Sequence, residues 1–457
     1  MNNKHVLVTL KYYKGELNPF DCAALECALC SGAKVSVLAM APLGVKENLE
    51  NLTRLNLDAY LVTDTVYAGG DTLATSLVLS EAIKKINPDV IFCGRQSIDG
   101  DTAQVPPMLA ERLNYNFVSK IIKISGDNYT TRSGVTGKFL DKTIFTFERI
   151  NALRFPSIFS KKREITIWDN SHLKLDASMV GLKGSPTQVT KTYESSVGRR
   201  FCKFITVDEL PNLIANQLKI ERASNFVSSN NEKIDKLYYF GNIKDVANSI
   251  ASNAIEVDYS NKTAEEVAKY LVDNGATTVL FSDNDDLKIL AAKLSVLTNS
   301  GLCADCISLR VEKGKVVMTR PAQGGSITAD IICKSEMTLA TVRTMEKDSR
   351  ELIFSLGRGA INHLETLKSY AQKYNAEVCA SRAVVDMGKM PYETQVGLTG
   401  RIVAPKVYVA FGIAGAVQHT TAISGAGTII AINNDKNARI FDYADYGVLA
   451  NVEELKL

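Results

Sequence analysis

The chain has 457 residues, of which 46% are hydrophobic and 23% charged, and its formal net charge is only +3. This length predicts two to four domains with sizeable cores, and the small charge gives no sign of a nucleic-acid-binding surface. The apolar runs are too short for a membrane span, and the first has strand length rather than signal-peptide length, so the sequence predicts a cytoplasmic protein without membrane insertion.

The amino-terminal part alternates between apolar runs of strand length and longer helical patterns. The runs at 5–10, 33–40, 58–64 and 89–94 are typical of buried strands, and 18–33 and 71–87 have helical periodicity. Alternation at this spacing predicts a parallel, doubly wound sheet, whose ligands bind beyond the carboxyl ends of the strands.

Two loops fall at such strand ends, "VYAGGDTLATS" (66–76) and "CGRQSIDGDTAQV" (93–105). Each passes through glycine and enters a predicted helix behind Asp-Thr. Asp71 and either Asp99 or Asp101 fit helix N-caps, which would make both loops structural. The loops equally fit a phosphate site, in which free helix amides are helped by the side chains of Thr72, Thr75, Thr102 and Gln104. The residues alone leave both interpretations open.

The following region is less regular. Residues 133–158 have the pattern of a β-ribbon, and 207–226 have that of one amphipathic helix. The polar stretch 228–236 predicts a linker. Beyond it, strand-like runs at 236–241, 276–283 and 303–321 alternate with helical patterns at 262–275 and 285–301, in the same order as in the amino-terminal part. Two related halves are therefore expected, followed by a third strand-helix-strand block.

The nine cysteines and four histidines form no metal motif. Cys22, Cys27 and Cys30 share one predicted helix, and Cys303 and Cys306 are spaced as C-x-x-C, but no second ligand pair accompanies either group. The sequence therefore predicts no metal and buried thiols rather than a disulfide framework.

The third block contains, in order, "GRG" (357–359), "SRAVVDMG" (381–388), "QVGLTGRIVAPKVYVAFGIAGAVQH" (395–419) and "IAINNDKNARIFDYADYG" (430–447). This series resembles the FAD domain of the electron-transfer flavoprotein large (alpha) subunit. The earlier motifs "NPFD", "AGGDTLAT", "GRQSIDGDTAQV", "RFPSI" and "LKGSPT" resemble the small (beta) subunit. The chain is therefore similar to both subunits fused, with the beta half first.

The resemblance implies an α/β fold. Two doubly wound parallel-sheet domains of the adenine-nucleotide alpha-hydrolase-like type are expected to pair about a pseudo-two-fold axis, together with a Rossmann-like FAD domain. The implied boundaries are 1–227 for the small-subunit-like domain with its carboxyl-terminal arm, 228–236 for the linker, 237–344 for the amino-terminal domain of the large-subunit half, and 345–457 for the FAD domain. The third of these domains looks abridged, because 236–260 has no room for the usual strand-helix succession.

The resemblance also implies the cofactor-binding residues. Those for FAD are Arg358, Ser381, Arg382, Gln395, Val396, Gly397, Thr399, Gly400, Gly412, Gly415, Ala416, Gln418, His419, Asn433, Asp435 and Asp445. Those for a second adenine nucleotide are Asp71, Thr72, Thr75, Gly94, Asp101, Thr102, Ala103, Gln104 and Val105.

Three FAD residues have expected roles. A donor such as His419 would stabilise negative charge near flavin N1, Thr399 would bond N5, and Arg382 would add positive charge beside the ring. Taken without the motif series, His419 also fits a satisfied histidine at a helix start, and Arg382 fits a surface ion pair. The family usually has serine at Ala414 and glutamine at Leu398, so two polar contacts are missing here.

The resemblance implies an electron carrier that accepts electrons from a flavin dehydrogenase such as an acyl-CoA dehydrogenase, passes them on through FAD, and needs no separate subunit. The second nucleotide would be AMP in a plain carrier, or a second FAD in a member that bifurcates electrons from NADH. The loop 94–105 favours the second FAD, whereas the short segment 11–17 argues for AMP. The alternative is an adenine-nucleotide sensor without redox role, which would purify colourless.

Overall fold

The computed structural model describes residue 1 and residues 3–194, 199–220, 227–228, 232–323, 327–343, 351–397 and 400–455. The chain divides into two compact units. The first consists of Met1–Thr192, Ser228–Gln323 and Ala329–Arg343, and the second of Tyr193–Val227, Gly324–Thr328 and Thr344–Leu457. The predicted start of the FAD domain, residue 345, lies outside the described residues.

The amino-terminal half of the first unit is built on a mostly parallel sheet. Its strands are β1 (His5–Leu10), β4 (Lys34–Met40), β5 (Asp58–Val62), β6 (Val90–Gly94), β7 (Asn116–Ser125), β8 (Asn128–Thr131), β9 (Thr136–Lys138), β10 (Thr143–Phe147) and β11 (Thr166–Trp168), with a small hairpin of β2 (Tyr12–Tyr13) and β3 (Glu16–Leu17). The order is β11-β5-β4-β1-β6-β10-β7-β8-β9. The helices are α1 (Pro19–Cys30), α2 (Lys46–Leu52), α3 (Thr72–Ile86), α4 (Val105–Leu113) and α5 (Asn170–Leu173).

The predicted strands and helices of this half are confirmed, because the apolar runs are buried on both faces of the sheet. Separate cores lie on the two faces, one containing Val8 and Phe92 and the other Leu7 and Ile91. The predicted β-ribbon over 133–158 is only partly right. β8 and β9 pair antiparallel, but β10 inserts between β6 and β7 as a parallel strand.

The chain then passes through short elements, which are β12 (Thr187–Glu194), β13 (Lys203–Phe204), α6 (Leu210–Leu218) and β14 (Val227–Ser228). The predicted helix over 207–226 is shorter in the structure. A 3-10 turn at Val207–Glu209 precedes α6, which ends at Leu218, and residues 221–226 lie outside the described residues. The predicted linker 228–236 overlaps the next strand, which begins at Ile234.

The second half of the first unit follows. Its elements are β15 (Ile234–Phe240), α7 (Lys244–Ile250), β16 (Ala251–Glu256), α8 (Ala264–Asp273), β17 (Thr278–Ser282), α9 (Asp285–Leu297), β18 (Gly301–Cys306), β19 (Ser308–Glu312), β20 (Lys315–Ala322), β21 (Ile327–Cys333) and β22 (Thr338–Val342). The parallel sheet has the order β16-β15-β17-β22-β18, and a second sheet contains β12-β21-β20-β19. The expectation that 236–260 leaves no room for a strand-helix succession is wrong, because the seven-residue α7 connects β15 to β16.

The two halves of the first unit share one topology. The order β4-β1-β6-β10-β7 in the first sheet corresponds strand by strand to β16-β15-β17-β22-β18 in the second. The helices α4 and α9 occupy equivalent positions, and they pack against each other, with Glu111 Oε2 and Lys293 Nζ 3.4 Å apart. Contact between equivalent elements is what pairing about a two-fold axis requires. The predicted relation between the halves is thus present.

The second unit is a parallel sheet with helices on its faces. Its elements are β23 (Leu352–Leu356), α10 (Leu364–Tyr374), β24 (Glu377–Ser381), α11 (Arg382–Asp386), β25 (Gln395–Val396), β26 (Val407–Phe411), α12 (Val417–Ile423), β27 (Thr428–Asn433) and β28 (Tyr446–Leu449). The order is β13-β28-β27-β26-β23-β24-β25. Apart from the added β13, this is the Rossmann order, so the α/β fold class predicted from the sequence is confirmed.

The arm at 199–218 packs within the second unit. β13 pairs with β28 in parallel, and Leu210 and Ile214 of α6 are buried in the same core as Val407 and Val409. Among the described residues, no helix is both long and apolar enough to cross a membrane. Among the described residues, most cysteine thiols are buried or half-buried and all are free, as the cysteine pattern predicts.

Candidate functional site

The candidate site of the second unit lies at the carboxyl edge of its sheet. The strand order reverses between β23 and β26, and in sheets of this kind ligands bind at that reversal. Predicted site residues follow the ends of successive strands along this edge. They are Arg358 after β23, Ser381 and Arg382 at β24, Gln395, Val396 and Gly397 at β25, Gly412, Gly415, Ala416 and Gln418 after β26, and Asn433 and Asp435 at β27.

The loops after β23 and β26 touch backbone to backbone. A Cβ atom on Gly357 would lie 2.2 Å from the carbonyl oxygen of Gly412, and one on Gly412 would lie 2.6 Å from the amide nitrogen of Ala360. Gly412 also has a φ of +60°, which side chains rarely adopt. Only glycine permits this close approach of the two loops.

The loop after Gly412 carries free backbone donors. Among the described residues, the amides of Ile413, Ala414, Gly415 and Ala416 donate no backbone hydrogen bond. The side chain of Asn433 fixes this loop by donating from Nδ2 to the carbonyl oxygen of Ile413 at 3.0 Å. Free amides at a glycine-bearing loop are the donors that phosphate oxygens accept, so this segment fits a pyrophosphate.

His419 lies on α12 and is only 6% exposed. Its Nδ1 is 3.1 Å from the carbonyl oxygen of Val396, and its Nε2 is 2.9 Å from the hydroxyl oxygen of Tyr408. Burial lowers the pKa of His419 to about 4. The ring is thus neutral with both nitrogens engaged. This is the satisfied histidine that the sequence left open as the alternative.

Arg382 is also paired in the structure. Its Nε donates to Asp386 Oδ2 at 3.1 Å, one turn along α11, and both side chains are exposed. This is the surface ion pair that the sequence allowed as an alternative. Gln395 is buried and its carbonyl oxygen accepts from the Arg401 amide at 2.7 Å. Gly400 lies in the same turn, whereas Thr399 and Leu398 lie outside the described residues.

Asp445 does not lie with these residues. It immediately precedes β28, at the amino edge of the sheet, and its Oδ2 accepts hydrogen bonds from the amide of Ile429 at 2.8 Å and from Arg200 Nη1. The structure therefore does not bring Asp445 to the carboxyl edge. Its carboxylate fastens the arm through Arg200, which also donates to the carbonyl oxygen of Gly427 at 2.8 Å.

The first unit has a comparable edge in its amino-terminal half. The strand order reverses between β1 and β6, so the segment after β1 and the loop 95–104 after β6 flank one crevice. Lys11 Nζ lies 2.7 Å from Asp99 Oδ2, and Asn18 Nδ2 donates to the carbonyl oxygen of Gln96 at 2.9 Å. The hairpin segment and the loop are thereby joined across the crevice.

Gly94 permits α1 to approach this edge. A Cβ atom at Gly94 would lie 2.2 Å from Asp21 Oδ1, and the Gly94 amide donates to the same oxygen at 3.2 Å. The other carboxylate oxygen of Asp21 accepts from the Lys11 amide at 2.7 Å. Burial raises the pKa of Asp21 to about 7. The sequence analysis did not assign Lys11, Asn18 or Asp21 to this site, although Lys11 directly follows the first strand and the motif "NPFD" contains Asn18 and Asp21.

The helix starts at this edge are largely structural. Asp71 Oδ1 caps α3 by accepting from the amides of Leu73 and Ala74, each at 3.0 Å, and its Oδ2 accepts from Thr187 Oγ1 at 2.6 Å. The prediction of an aspartate cap on α4 is wrong. That helix begins at Val105 behind Gln104, because two prolines, which lack N–H groups, fill its first turn.

Gln104 and the loop before it hold this edge through side-chain hydrogen bonds instead of capping α4. Thr72 Oγ1 donates to Gln104 Oε1 at 2.7 Å, and Gln104 Nε2 donates to the carbonyl oxygen of Leu302 at 3.3 Å in the other half. Asp101 and Ala103 adopt φ values of +52° and +54°, and Asp101 Oδ1 accepts from Gln96 Nε2 at 3.0 Å. The predicted residues Thr75 and Thr102 lie on α3 and in this loop, so the set is brought to one edge.

Comparison with known proteins identifies the family to which the chain belongs. The family "Electron transfer flavoprotein domain" matches residues 6–148 and 248–352, and "Electron transfer flavoprotein FAD-binding domain" matches 348–424. The chain belongs to the electron transfer flavoprotein family.

Relatives divide along the chain in the same way. The electron transfer flavoprotein subunit beta of Thermoanaerobacterium thermosaccharolyticum is 38% identical over 194 residues, covering 38% of this chain and 75% of the relative. The beta subunit of Megasphaera elsdenii is 38% identical over 201 residues, covering 38% and 74%. The alpha subunit of the Thermoanaerobacterium species is 31% identical over 253 residues, covering 45% and 76%.

This chain thus carries beta-like and alpha-like parts. Its role is electron transfer to and from redox partners, and its FAD-binding domain coincides with the Rossmann-ordered unit. The free amides of the Gly412 loop fit the FAD pyrophosphate, so the geometry and the family agree on this cofactor. The family match gives no support to a nucleotide sensor without redox role.

Proposed function

We propose that this chain is a self-sufficient electron carrier that accepts electrons from a flavin dehydrogenase, such as an acyl-CoA dehydrogenase, and needs no separate subunit. The observation that carries the proposal is that both sheets of the first unit pack together within one chain, through α4 and α9, as two counterparts would. Bound FAD supplies the chemistry, since a flavin takes up and releases electrons singly or in pairs.

The chain's own residues would hold and shield the flavin at the carboxyl edge of the second unit. The Gly412 loop would bind the pyrophosphate through its free amides, and Gly397 and Gly400, which follow β25, would face the ring. The proposed contacts are Arg358, Ser381, Arg382, Gln395, Val396, Gly397, Thr399, Gly400, Gly412, Gly415, Ala416, Gln418, Asn433 and Asp435. Asp445 is left out because it lies at the opposite edge.

An exposed apolar loop in the first unit supports a protein partner. Phe155, Ile158 and Phe159 are 95%, 84% and 86% exposed. The loop backbone is nevertheless held firmly, because Arg54 donates from Nε to the carbonyl oxygen of Ser160 at 3.2 Å and from Nη2 to that of Ser157 at 3.0 Å. Clustered apolar side chains on an anchored backbone are typical of a docking surface, and the partner's apolar surface would cover them.

The test compares two exposed apolar positions. Ile158→Ser should slow electron transfer from an acyl-CoA dehydrogenase by on the order of tenfold, since one buried anchor is lost. Leu140→Ser, which changes a 60% exposed side chain elsewhere in the unit, is the matched control. Flavin content and unfolding should be unchanged in both. Equal transfer rates in the two variants would remove this loop from the docking surface.

A second adenine nucleotide is proposed for the crevice between β1 and β6. The loop 95–104 and the start of α3 would provide the contacts, which are Asp71, Thr72, Thr75, Gly94, Asp101, Thr102, Ala103, Gln104 and Val105. Asp71 already occupies two amides of α3, which leaves loop 95–104 as the main source of phosphate donors.

The nucleotide is proposed to be FAD rather than AMP, with NADH as the donor in electron bifurcation. The form of the loop 94–105 favours this choice, while the small hairpin β2–β3 offers less wall for a flavin than a longer loop would. Extraction should release two FAD and no AMP per chain, and NADH should bleach the flavin absorbance. One FAD and one AMP per chain, with NADH inert, would support a plain carrier instead.

A further inference from the structure

A polar cavity in the first unit lies outside both proposed nucleotide sites. It has a volume of about 250 Å³ and lies where the two halves of this unit meet. The amino-terminal half contributes α3, the end of α4 and the segment 178–186, and the other half contributes Asn299 and the segment 334–335. None of its described lining residues is among those proposed for FAD or for the second adenine nucleotide.

The charged groups of this cavity are all cations. Arg112, Lys183 and Lys334 line it, and its described lining residues include no aspartate or glutamate. A cleft lined by one sign of charge concentrates the electric field and draws counter-ions into it. The lining therefore favours an anion.

The guanidinium of Arg112 is held at the cavity by neutral partners. Its Nε donates to Ser76 Oγ at 2.9 Å, and its Nη2 donates to the carbonyl oxygen of Leu73 at 3.2 Å. Burial lowers the pKa of Arg112, and the charge of Glu81 opposes this shift, but the Glu81 carboxylate itself pairs with Lys84 Nζ at 2.6 Å. In the described part of the chain no carboxylate forms an ion pair with Arg112. A bound anion would supply the missing counter-charge.

Hydrogen bonds fix the walls of the cavity without a ligand. Ser185 Oγ accepts from the Asp71 amide at 2.8 Å and donates to the carbonyl oxygen of Gly181 at 2.7 Å. The Lys334 amide donates to the carbonyl oxygen of Pro186 at 2.7 Å, which joins the two halves of the unit at the rim. The cavity is thus preformed, so a ligand would bind without the cost of ordering its walls.

The lining indicates the chemistry of the ligand. A guanidinium matches phosphate oxygens with parallel N–H donors, and a lysine adds a point charge beside it. Leu73, Leu77 and Met179 supply apolar surface next to these cations. The volume is many times that of a water molecule, so it leaves room for an organic group beside the phosphate.

We propose that this cavity binds a small phosphate monoester. Arg112, Lys183 and Lys334 hold its phosphate group, and the two leucines of α3 contact its organic part. Because the lining comes from both halves of the first unit, the bound ligand stabilises their pairing in the folded chain.

The test measures the binding of phenyl phosphate to the purified holoprotein by isothermal titration calorimetry. Lys334→Met should bind it on the order of tenfold more weakly than the parent, since one charge-assisted hydrogen bond is lost. Lys85→Met is the matched control, because it removes an exposed cation of α3 that does not line the cavity, and it should bind as the parent does. Equal weakening in the two variants, or a parent that binds no phenyl phosphate at millimolar concentration, would overturn the proposal.

Two further readouts test the ligand class and the link between the halves. Inorganic phosphate should bind more weakly than phenyl phosphate, because it makes no contact with the leucines, and equal affinities would contradict the organic part of the proposal. Phenyl phosphate should raise the midpoint of thermal unfolding in the parent and in Lys85→Met, and should raise it less in Arg112→Met. The same rise in all three proteins would place the bound phosphate elsewhere and contradict the site.

Discussion

Replacing Gly412 by alanine should damage the second unit more than an ordinary glycine replacement does. Gly412 has a φ of +60°, and its added Cβ would lie 2.6 Å from the Ala360 amide nitrogen and 2.7 Å from the Gly359 carbonyl carbon. Both are backbone atoms, which cannot turn aside as a flexible side chain would. The loops after β23 and β26 would have to separate.

The magnitude follows from two contributions. An alanine held in the left-handed region costs about 1–2 kcal/mol, and overpacking against fixed atoms adds about 1–3 kcal/mol. Gly388→Ala is the matched control, because Gly388 has a φ of +68° and its added Cβ would meet no described atom within 4 Å. It should cost only the first contribution. The free energies of unfolding of the two variants should therefore differ by about 1–3 kcal/mol.

The assay is urea unfolding of both variants, monitored by far-ultraviolet circular dichroism and by the absorbance of the flavin that is released. Gly412→Ala should also reduce bound FAD per chain, because the amides of the following loop move with Gly412. Gly388→Ala should retain it. If the two variants lose the same stability and keep the same flavin content, the close approach of the two loops is not what requires glycine.

Further predictions concern pH and the docking loop. Burial lowers the pKa of His419 from its usual 6.5 to about 4, and Tyr408 is the titratable group that faces the ring. The free energy of unfolding should therefore fall as the pH drops from 6.5 towards 4. Urea titrations at pH 7 and pH 5 should show a smaller fall in His419→Asn. Burial raises the pKa of Asp21 from 3.8 to about 7, so its contribution is fully present below pH 3.8 and is lost as the pH rises through 7. Stability measured at pH 5 and pH 8 should change less in Asp21→Asn than in the parent. Arg54→Met should cost about 1–3 kcal/mol, from two lost hydrogen bonds, and should slow electron transfer from a dehydrogenase in stopped-flow measurements while flavin content stays constant.

Local patterns in the sequence predicted most of the strands and helices but not all of their pairing. The apolar runs of β1, β4, β5 and β6 are buried on both sides, which gives parallel strands a recognisable composition. β10 was predicted to be part of a ribbon because an apolar strand has the same composition in either setting. The sequence does not show whether its partner strand is the preceding one or one far away along the chain. The seven-residue α7 was missed because short helices have little periodicity to detect.

The site likewise contains residues that the sequence could assign and contacts that it could not predict. Arg358, Arg382 and Asn433 were assigned to the FAD site from the resemblance of their motifs, and the structure has them at or directly after the carboxyl ends of β23, β24 and β27. The partner of Asp445 could not be predicted, since Arg200 is 245 residues away in the sequence. The engagement of both nitrogens of His419 likewise depends on Tyr408 and Val396, which only the folded sheet brings to either side of the ring.

The most direct test of a complete carrier in a single chain is the number of flavins released by denaturation from the chain purified alone. Both halves are tethered in one polypeptide, which keeps their effective concentration at about the millimolar level. The purified chain should be yellow and should release at least one FAD per chain without any added protein. A colourless chain that acquires flavin only when a separate subunit is supplied would contradict the claim.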